Sequence, residues 1–215
     1  MIHYSENTQE LDGGYDRGYR ESPCFWGKNP GSLVVWLTDR INVNGLSVLD
    51  AGCGEGKNAV HFAKRGAKVL GWDSSSIAIR NGLNTWGNFP KITWQHGDVR
   101  TANLPENGFD IVVAYGLFHC LKDTSEVQNL FHRFSASTER GGYHVICAFN
   151  DRRQDFRGAH ADFDPLLLPH SYYLSLYDGW EIMKSSDEDL TEVHPNDRIK
   201  HTHSLSRIVA RKNSD

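Results

Sequence analysis

A carboxylate and three glycines stand close together near residue 50, where a short apolar run ends. Val48 and Leu49 lead into Asp50, and glycines follow at positions 52, 54 and 56. Glycine lets the backbone turn sharply and approach a ligand, so the pattern predicts a binding turn after a strand. A second acid, Asp73, ends the next apolar run, where a carboxylate can accept both hydroxyls of a ribose. The unit therefore predicts a site for an adenosine-containing ligand.

The glycine spacing and Asp50 distinguish between two kinds of adenosine ligand. Dinucleotide sites use G-x-G-x-x-G, whereas this chain has G-x-G-x-G, with Lys57 where the third glycine would fall. A carboxylate at Asp50 would repel a pyrophosphate but attract an ammonium group. The sequence therefore predicts S-adenosyl-L-methionine, an adenosine carrying a cationic amino-acid head, as the cofactor. It disfavours a nicotinamide-dependent reductase.

The elements that must position these residues alternate along the chain from about residue 31 onward. Strands are expected at 46–50, 68–72, 92–96, 109–114 and 143–149, and helices at 32–41, 58–64, 76–84 and 126–135. This alternation predicts an α/β, doubly wound, Rossmann-like and mostly parallel sheet with helices on both faces. Late strands at 180–185 and 207–212, with shorter runs between them, are joined too closely for a parallel crossover, so an antiparallel C-terminal strand is expected.

The domain organisation expected from these patterns is simple. Residues 1–30 form an N-terminal lid segment, residues 31–215 form a single domain, and residues 151–178 within it form an acceptor-side loop. Long irregular stretches of this kind usually carry function or are disordered.

The bulk composition excludes several classes of protein. The 215 residues carry a formal net charge of -4, which gives no basic surface for nucleic acid. Four cysteines lack a CxxC pair, so free thiols in a reducing compartment are expected. The N-terminus does not resemble a secretory signal, and no apolar run approaches the roughly 20 residues of a membrane span. We expect a cytoplasmic monomer or homodimer without a membrane or nucleic-acid partner.

The string VLDAGCGEGKN resembles the first motif of class I S-adenosylmethionine-dependent methyltransferases. Later motifs of that family have similar strings here, in the same order: the acid-containing WDSS at 72–75, GDV at 97–99 and FDIVVAYGLFHCL at 109–121. The glycine pair at 141–142 is similar to the pair before the fifth strand of that family. The resemblance implies a methyl-transferring enzyme, with Asp98 near the adenine amino group and Val99 contributing its backbone. The residues expected to bind the cofactor are Asp50, Ala51, Gly52, Cys53, Gly54, Gly56, Asn58, Asp73, Ser74, Ser75, Asp98, Val99, Tyr115, Gly116 and Trp26.

His119 is the candidate catalytic residue. It lies just beyond the fourth strand, at the edge where doubly wound folds bind ligands, and similar methyltransferases often carry a histidine there. Two roles remain open: a general base for a protonated acceptor, or packing against the methionine end of the cofactor.

Aromatic and histidine side chains are candidates for the acceptor side of the site. Tyr15 and Tyr19 either close over the site or anchor the N-terminal segment, and His160 and His170 either shape the acceptor pocket or are solvated. His201 and His203 would share one face of a strand. With no third ligand evident, a solvated sheet edge is favoured there, and no metal is expected.

The C-terminal strings YDGWEIMK and RIVARK resemble the tellurite-resistance methyltransferase group. That resemblance implies a small, soft or anionic acceptor. The stretch HSYYLSLY, however, places Leu174 and Ser175 near the positions where that group carries basic residues. An oxygen, nitrogen, sulfur or chalcogen acceptor therefore stays open, as does a peptide carboxylate in a tailoring pathway. A non-catalytic S-adenosylmethionine-binding regulatory protein is the remaining alternative.

Overall fold

One seven-stranded sheet organises the part of the chain that the computed structural model describes, residues 14–156, 164–193 and 199–214. The strands are β1 Ser47–Ala51, β2 Lys68–Asp73, β3 Ile92–His96, β4 Phe109–Tyr115, β5 Thr138–Gln154, β6 Trp180–Glu192 and β7 His201–Lys212. Their order is β3-β2-β1-β4-β5-β7-β6. Strands β1 to β5 run parallel, and β7 is antiparallel to both of its neighbours. The expected doubly wound sheet with an antiparallel C-terminal strand is confirmed.

Helices precede β1 and lie between several of the strands. They are α1 Asp16–Glu21, α2 Ser32–Thr38, α3 Lys57–Lys64, α4 Ser76–Trp86, α5 Thr124–Ser137 and α6 His170–Ser175, with a 3₁₀ turn at Phe118–Cys120. Local capping explains where two of them begin: the side chains of Ser75 and Asp123 accept hydrogen bonds from the first turns of α4 and α5. Within the described ranges, no helix combines the length and hydropathy of a transmembrane span.

Two apolar layers cover the faces of the sheet. Successive strand residues point to opposite faces, so Leu49 packs toward α5 and α6, whereas Val48 packs toward α2 and α3. The short helix α1 packs on α4, at the side of the sheet that holds β2 and β3. The carboxyl ends of the parallel strands therefore meet at one edge, above a rigid core.

Strands β5, β6 and β7 are longer than the sequence indicated. β5 continues through the polar residues 150–154, where Arg152 pairs with Asp187 and Asp189 at 2.7 and 2.6 Å. The acceptor-side loop expected at 151–178 thus begins as strand, and it also contains α6. β6 runs without a break through a charged stretch, as suits the exposed strand at the edge of a sheet.

Candidate active site

A cavity of about 810 Å³ lies where the loops after β1, β2, β3 and β4 converge. This is the edge where open α/β sheets bind ligands. The predicted site residues that line it are Tyr15, Tyr19, Trp26, Gly52, Cys53, Gly54, Asn58, Asp73, Ser74, Asp98, Val99, Tyr115, Gly116 and His119. Most of the predicted constellation is therefore brought together around one space.

The turn after β1 brings bare backbone to the cavity wall. Gly52 and Gly54 have φ values of +67° and +53°, a region that residues with a Cβ rarely adopt. A Cβ on Gly54 would come within 2.9 Å of the hydroxyl of Tyr19. The turn consequently requires glycine both for its conformation and for the close approach of the N-terminal segment.

Asp73 is fixed against this turn by two backbone amides. Its Oδ2 accepts a hydrogen bond from Gly54 N at 2.7 Å, and its Oδ1 accepts one from Ser75 N at 2.8 Å. Burial raises the pKa of Asp73 to about 6, although these two amides act in the opposite direction. The arrangement holds a carboxylate at the cavity wall, where a carboxylate fits the two hydroxyls of a ribose.

Asp50 lies directly behind the turn, at 1% exposure. Within the part of the chain that the structure describes, neither carboxylate oxygen makes a hydrogen bond of normal geometry. Burial raises the pKa of Asp50 to about 7, and the nearby Ala59 N–H and the charge of Lys57 offset this only in part. Buried carboxylates are ordinarily hydrogen-bonded or paired with a cation. The orphaned carboxylate fits a ligand that brings a positive charge, as the amino-acid head of S-adenosylmethionine does.

Four predicted cofactor residues support the site without lining the cavity: Asp50, described above, and Ala51, Ser75 and Gly56. Ala51 is buried within β1, and Ser75 caps α4 while its hydroxyl donates to Asp16. Gly56 has φ +82°, and a Cβ there would clash with the indole of Trp94. In the structure these last three residues support the site through packing and helix capping, and their contact with the cofactor stays a prediction.

Trp94 occupies a slot bordered by glycines. Besides its contact at Gly56, a Cβ on Gly82 of α4 would lie 3.0 Å from the same ring. The absence of side chains at both positions lets the indole fit between the beginning of α3 and the middle of α4. The ring thus sets the distance between the glycine turn and α4.

The adenine side of the cavity is held by an ion-pair chain. Asp98 pairs with Arg100 at 3.0 Å, and Arg100 also pairs with Glu126 of α5 at 2.8 Å. Trp72 Nε1 donates to the carbonyl of Gly97 at 2.8 Å. These contacts position the loop after β3, although the carboxylate of Asp98 is already engaged within the chain.

Hydrogen bonds define the protonation of His119, which is 3% exposed. Its Nδ1 accepts a hydrogen bond from the backbone N–H of Phe149 at 3.0 Å. The neutral ring must then carry its proton on Nε2, which lies 3.1 Å from the hydroxyl of Tyr15 and donates to it. In this arrangement neither nitrogen has a lone pair left to receive a proton. The geometry argues against the general-base role and in favour of His119 as a positioning residue.

The N-terminal segment is tied to the site through Glu55, a residue not singled out from the sequence. The buried Glu55 carboxylate accepts hydrogen bonds from the amides of Cys24 and Phe25 at 2.8 and 2.7 Å. Gly31 N donates to Asn58 Oδ1 at 2.8 Å, which joins α2 to α3. Tyr15, Tyr19 and Trp26 form the aromatic wall that results; its action as a lid stays a prediction.

The opposite wall comes from strands β5 to β7 and was missed from the sequence. Arg207, Glu192 and Phe149 line it. The buried Nε of Arg207 makes no hydrogen bond within the described ranges. These wall residues could not be predicted from the sequence, because only the pairing of the strands shows which residues of a β-hairpin reach a cavity.

Two predictions for the acceptor side are wrong, and one falls on residues that are not described. His170 begins α6 and contacts the hydroxyl of Ser185 at 2.9 Å rather than lining the cavity. His201 and His203 are 4% and 0% exposed, so they do not form a solvated sheet edge. His160 lies outside the described residues.

Comparison with known proteins places this site in a class. Residues 48–142 match a family described as a methyltransferase domain. Together with the sheet order and the cofactor-side geometry, this match shows a methyltransferase domain with the class I S-adenosylmethionine-dependent fold, for which S-adenosyl-L-methionine is the cofactor.

Individual relatives refine the comparison. An uncharacterised methyltransferase of Mycobacterium tuberculosis is 40% identical over 102 residues, which cover 47% of this chain and 50% of the relative. The probable S-adenosyl-L-methionine-dependent methyltransferase TehB of Haemophilus influenzae is 29% identical over 182 residues, 79% of this chain and 58% of that protein. The matched region thus spans about half the length of these curated relatives.

Solved structures share the fold over nearly the whole chain. The crystal structure of TehB has a TM-score of 0.69 at 20% identity and covers 94% of this chain and 67% of that chain. A protein of echinomycin biosynthesis that converts a disulfide bond into a thioacetal group has a TM-score of 0.72 at 23% identity, with 97% and 94% covered. The similarity to TehB confirms the resemblance drawn from the sequence.

Proposed function

We propose that this chain transfers a methyl group from S-adenosylmethionine to a small-molecule acceptor. The observation that carries the proposal is the orphaned carboxylate of Asp50 behind the glycine turn, with Asp73 held at the end of the next strand. A cationic head and a ribose at these two positions would place adenosine along the loops after β2 and β3. Asp50, Asp73 and the turn backbone would hold the cofactor.

When bound, the cofactor supplies a methyl group on a good leaving group, a sulfonium. The chain's part is then to align the acceptor and exclude water, since effective molarities from such positioning reach about 10⁵ M or more. The aromatic wall of Tyr15, Tyr19 and Trp26 and the stacked rings of His119 and Phe149, 4.2 Å apart, surround the space available to the acceptor. Their faces also suit a sulfonium cation.

We infer that the acceptor is soft or anionic and that neither His119 nor Tyr15 removes a proton from it. His119 is oriented as a donor, and burial raises the pKa of Tyr15, so neither is placed to act as a base near neutral pH. Arg207 in the cavity wall donates from Nη1 to the exposed Glu188 at 3.1 Å, and the remaining donors of its guanidinium favour an anion such as a thiolate or a chalcogen oxyanion over a neutral alcohol. TehB and the sulfur-modifying echinomycin protein share this fold.

The second candidate is a carboxylate acceptor, including one on a peptide. Arg207 favours it as well, because a guanidinium binds carboxylates in bidentate fashion. The two candidates differ in the attacking atom, so acceptor screening separates them. A purely regulatory S-adenosylmethionine-binding protein would bind the cofactor and turn over no acceptor.

The test begins with ligand binding. S-adenosylhomocysteine should raise the melting temperature in proportion to the logarithm of its concentration above its Kd, whereas NAD should not. Stabilisation by NAD alone would overturn the proposal.

Formation of S-adenosylhomocysteine is then measured against thiols, chalcogen oxyanions, carboxylates and phenols. Arg207→Gln should raise KM for anionic acceptors by about tenfold or more, because one charge-assisted hydrogen bond contributes about 1.5–3 kcal/mol. Arg211→Gln, on the same strand but outside the cavity, serves as the matched control. Equal KM values in both variants would remove Arg207 from acceptor binding.

A further inference from the structure

Three side chains able to bind a metal ion come together beside the cavity, in the hairpin of β6 and β7. One ligand atom from each of Glu192, His201 and His203 lies within 4.8 Å of the others. Glu192 and His201 are paired directly across the two strands, and His203 follows two residues later on the same face of β7. Glu192 Oε1 and His201 Nε2 are 3.9 Å apart. The register of the hairpin therefore gathers the cluster.

Hydrogen bonds determine which nitrogen each imidazole presents to the cluster. His201 Nδ1 lies 2.7 Å from the carbonyl oxygen of Ile199, and His203 Nδ1 lies 2.9 Å from Oε1 of Gln154. The amide of Gln154 is itself oriented, since its Nε2 donates to two backbone carbonyls. Because these oxygens can only accept, both rings carry a proton on Nδ1 and present the lone pair of Nε2. An oxygen acceptor behind each ring is the usual support of a metal-binding histidine.

The position of the cluster connects it to the cavity. Glu192 lines the cavity wall together with Arg207. The ring of Phe149 lies between the rings of His203 and His119, and its centroid is 4.5 and 4.2 Å from their centroids. The cluster is therefore next to the part of the cavity assigned to the acceptor, on the side away from the glycine turn.

We propose that Glu192, His201 and His203 bind a divalent transition-metal ion at this wall. Imidazole and carboxylate ligands suit zinc best among the common ions, and three protein ligands leave a coordination position open, as in catalytic rather than structural zinc sites. A thiolate or oxyanion in the cavity can occupy that position. Metal binding itself does not depend on methyl transfer, so the proposal stands or falls separately from the proposed function.

The experiment measures zinc binding to the full chain after treatment with a chelator, by competition with a chromogenic chelator. One zinc ion per chain is expected. Glu192→Gln, which keeps the shape of a partly exposed side chain, should weaken binding about 100-fold or more, and so should His203→Gln. Gln154→Met removes only the acceptor behind His203 and should weaken binding about 10–100-fold. His132→Gln, at an exposed position on α5, is the matched control and should bind as the wild type does.

Cysteine is the competing ligand, because Cys53 and Cys147 also line the cavity. Cobalt substituted for zinc distinguishes the two, since thiolate ligands add a charge-transfer band that imidazole and carboxylate ligands lack. Binding below one equivalent, a thiolate band, or unchanged affinity in Glu192→Gln would each overturn the proposal. Retained binding of S-adenosylhomocysteine by Glu192→Gln would show that the variant folds and leaves the cofactor half of the site intact.

Discussion

Replacing Asp50 by asparagine should stabilise the ligand-free protein while weakening the cofactor site. Burial raises the pKa of Asp50 from 3.8 to about 7. In the unfolded chain the carboxyl ionises near 3.8, so the folded state holds the proton more tightly over the interval from about pH 4 to 7. The protonated carboxyl of Asp50 therefore contributes its full stabilisation of the folded state below pH 4, and this stabilisation is lost as the pH rises to 7.

The size of the effect follows from that interval. The difference between 3.8 and about 7, at 1.36 kcal/mol per pH unit, corresponds to about 4 kcal/mol at pH 8. Because asparagine carries no charge at any pH, Asp50→Asn should be more stable than wild type by about this amount at pH 8 and equal to it near pH 4. For a chain of this size the gain corresponds to a rise in melting temperature of about 10 °C.

Ligand binding should show the opposite effect. The carboxylate must be ionised to pair with an ammonium, so the affinity of wild type for S-adenosylhomocysteine should fall about tenfold between pH 8 and pH 6. Asp50→Asn should bind weakly at both. Urea unfolding at several pH values and calorimetric titration measure the two effects, with the exposed Asp178→Asn as control. Equal stability of wild type and variant at pH 8, or a variant that binds as tightly as wild type, would refute the reasoning.

Three further changes test other parts of the site. Gly56→Ala should lower the free energy of unfolding by about 2–5 kcal/mol, because the added methyl group clashes with Trp94 and the residue has a positive φ. The control Gly45→Ala, at a position open to solvent, should lower it by about 1–2 kcal/mol. Equal losses of stability in urea unfolding would contradict the clash. Glu55→Ala leaves the buried amide of Phe25 and the half-buried amide of Cys24 unpaired and should cost about 3 kcal/mol, with faster proteolysis in residues 14–30. An unchanged cleavage rate would argue against the anchoring role of Glu55. Tyr15→Phe should lower turnover about fivefold, because it removes one hydrogen bond that contributes about 1 kcal/mol. Calorimetry should show that the affinity for the cofactor is unchanged. A matching loss of affinity would mean that the hydroxyl binds the cofactor.

The cofactor half of the site was predictable because its determinants are local in sequence. Asp50, the glycine turn and Asp73 lie on two consecutive strands joined by one helix, so spacing alone places them at one edge. The packing role of Gly56 was not accessible, because it depends on Trp94, which comes from a third strand.

The acceptor half depends on pairings between distant segments. Arg207 reads in sequence as part of an apolar strand, and Glu192 as one acid in a charged stretch. Only the antiparallel register of β6 and β7 shows that Glu192 faces His201 and that this strand end reaches the cavity. Polar strand ends such as residues 150–154 are equally difficult to predict from the sequence, because pairing with a neighbouring strand, rather than intrinsic propensity, makes them extended.

The indole of Trp94 links the tolerance of several positions to one another. A methyl group added at Gly56 or Gly82 meets the same aromatic surface, so each change is harmful alone while the large ring is present. Shortening the ring would remove the clash at Gly56, leaving the cost of its positive φ, and would remove the aromatic part of the clash at Gly82, leaving the contact with the backbone oxygen of Glu55, so each substitution would become less harmful on the altered background. Positions 56, 82 and 94 are therefore expected to change in compensating pairs during evolution. Such coupling makes the three positions epistatic, although they belong to different elements of the fold.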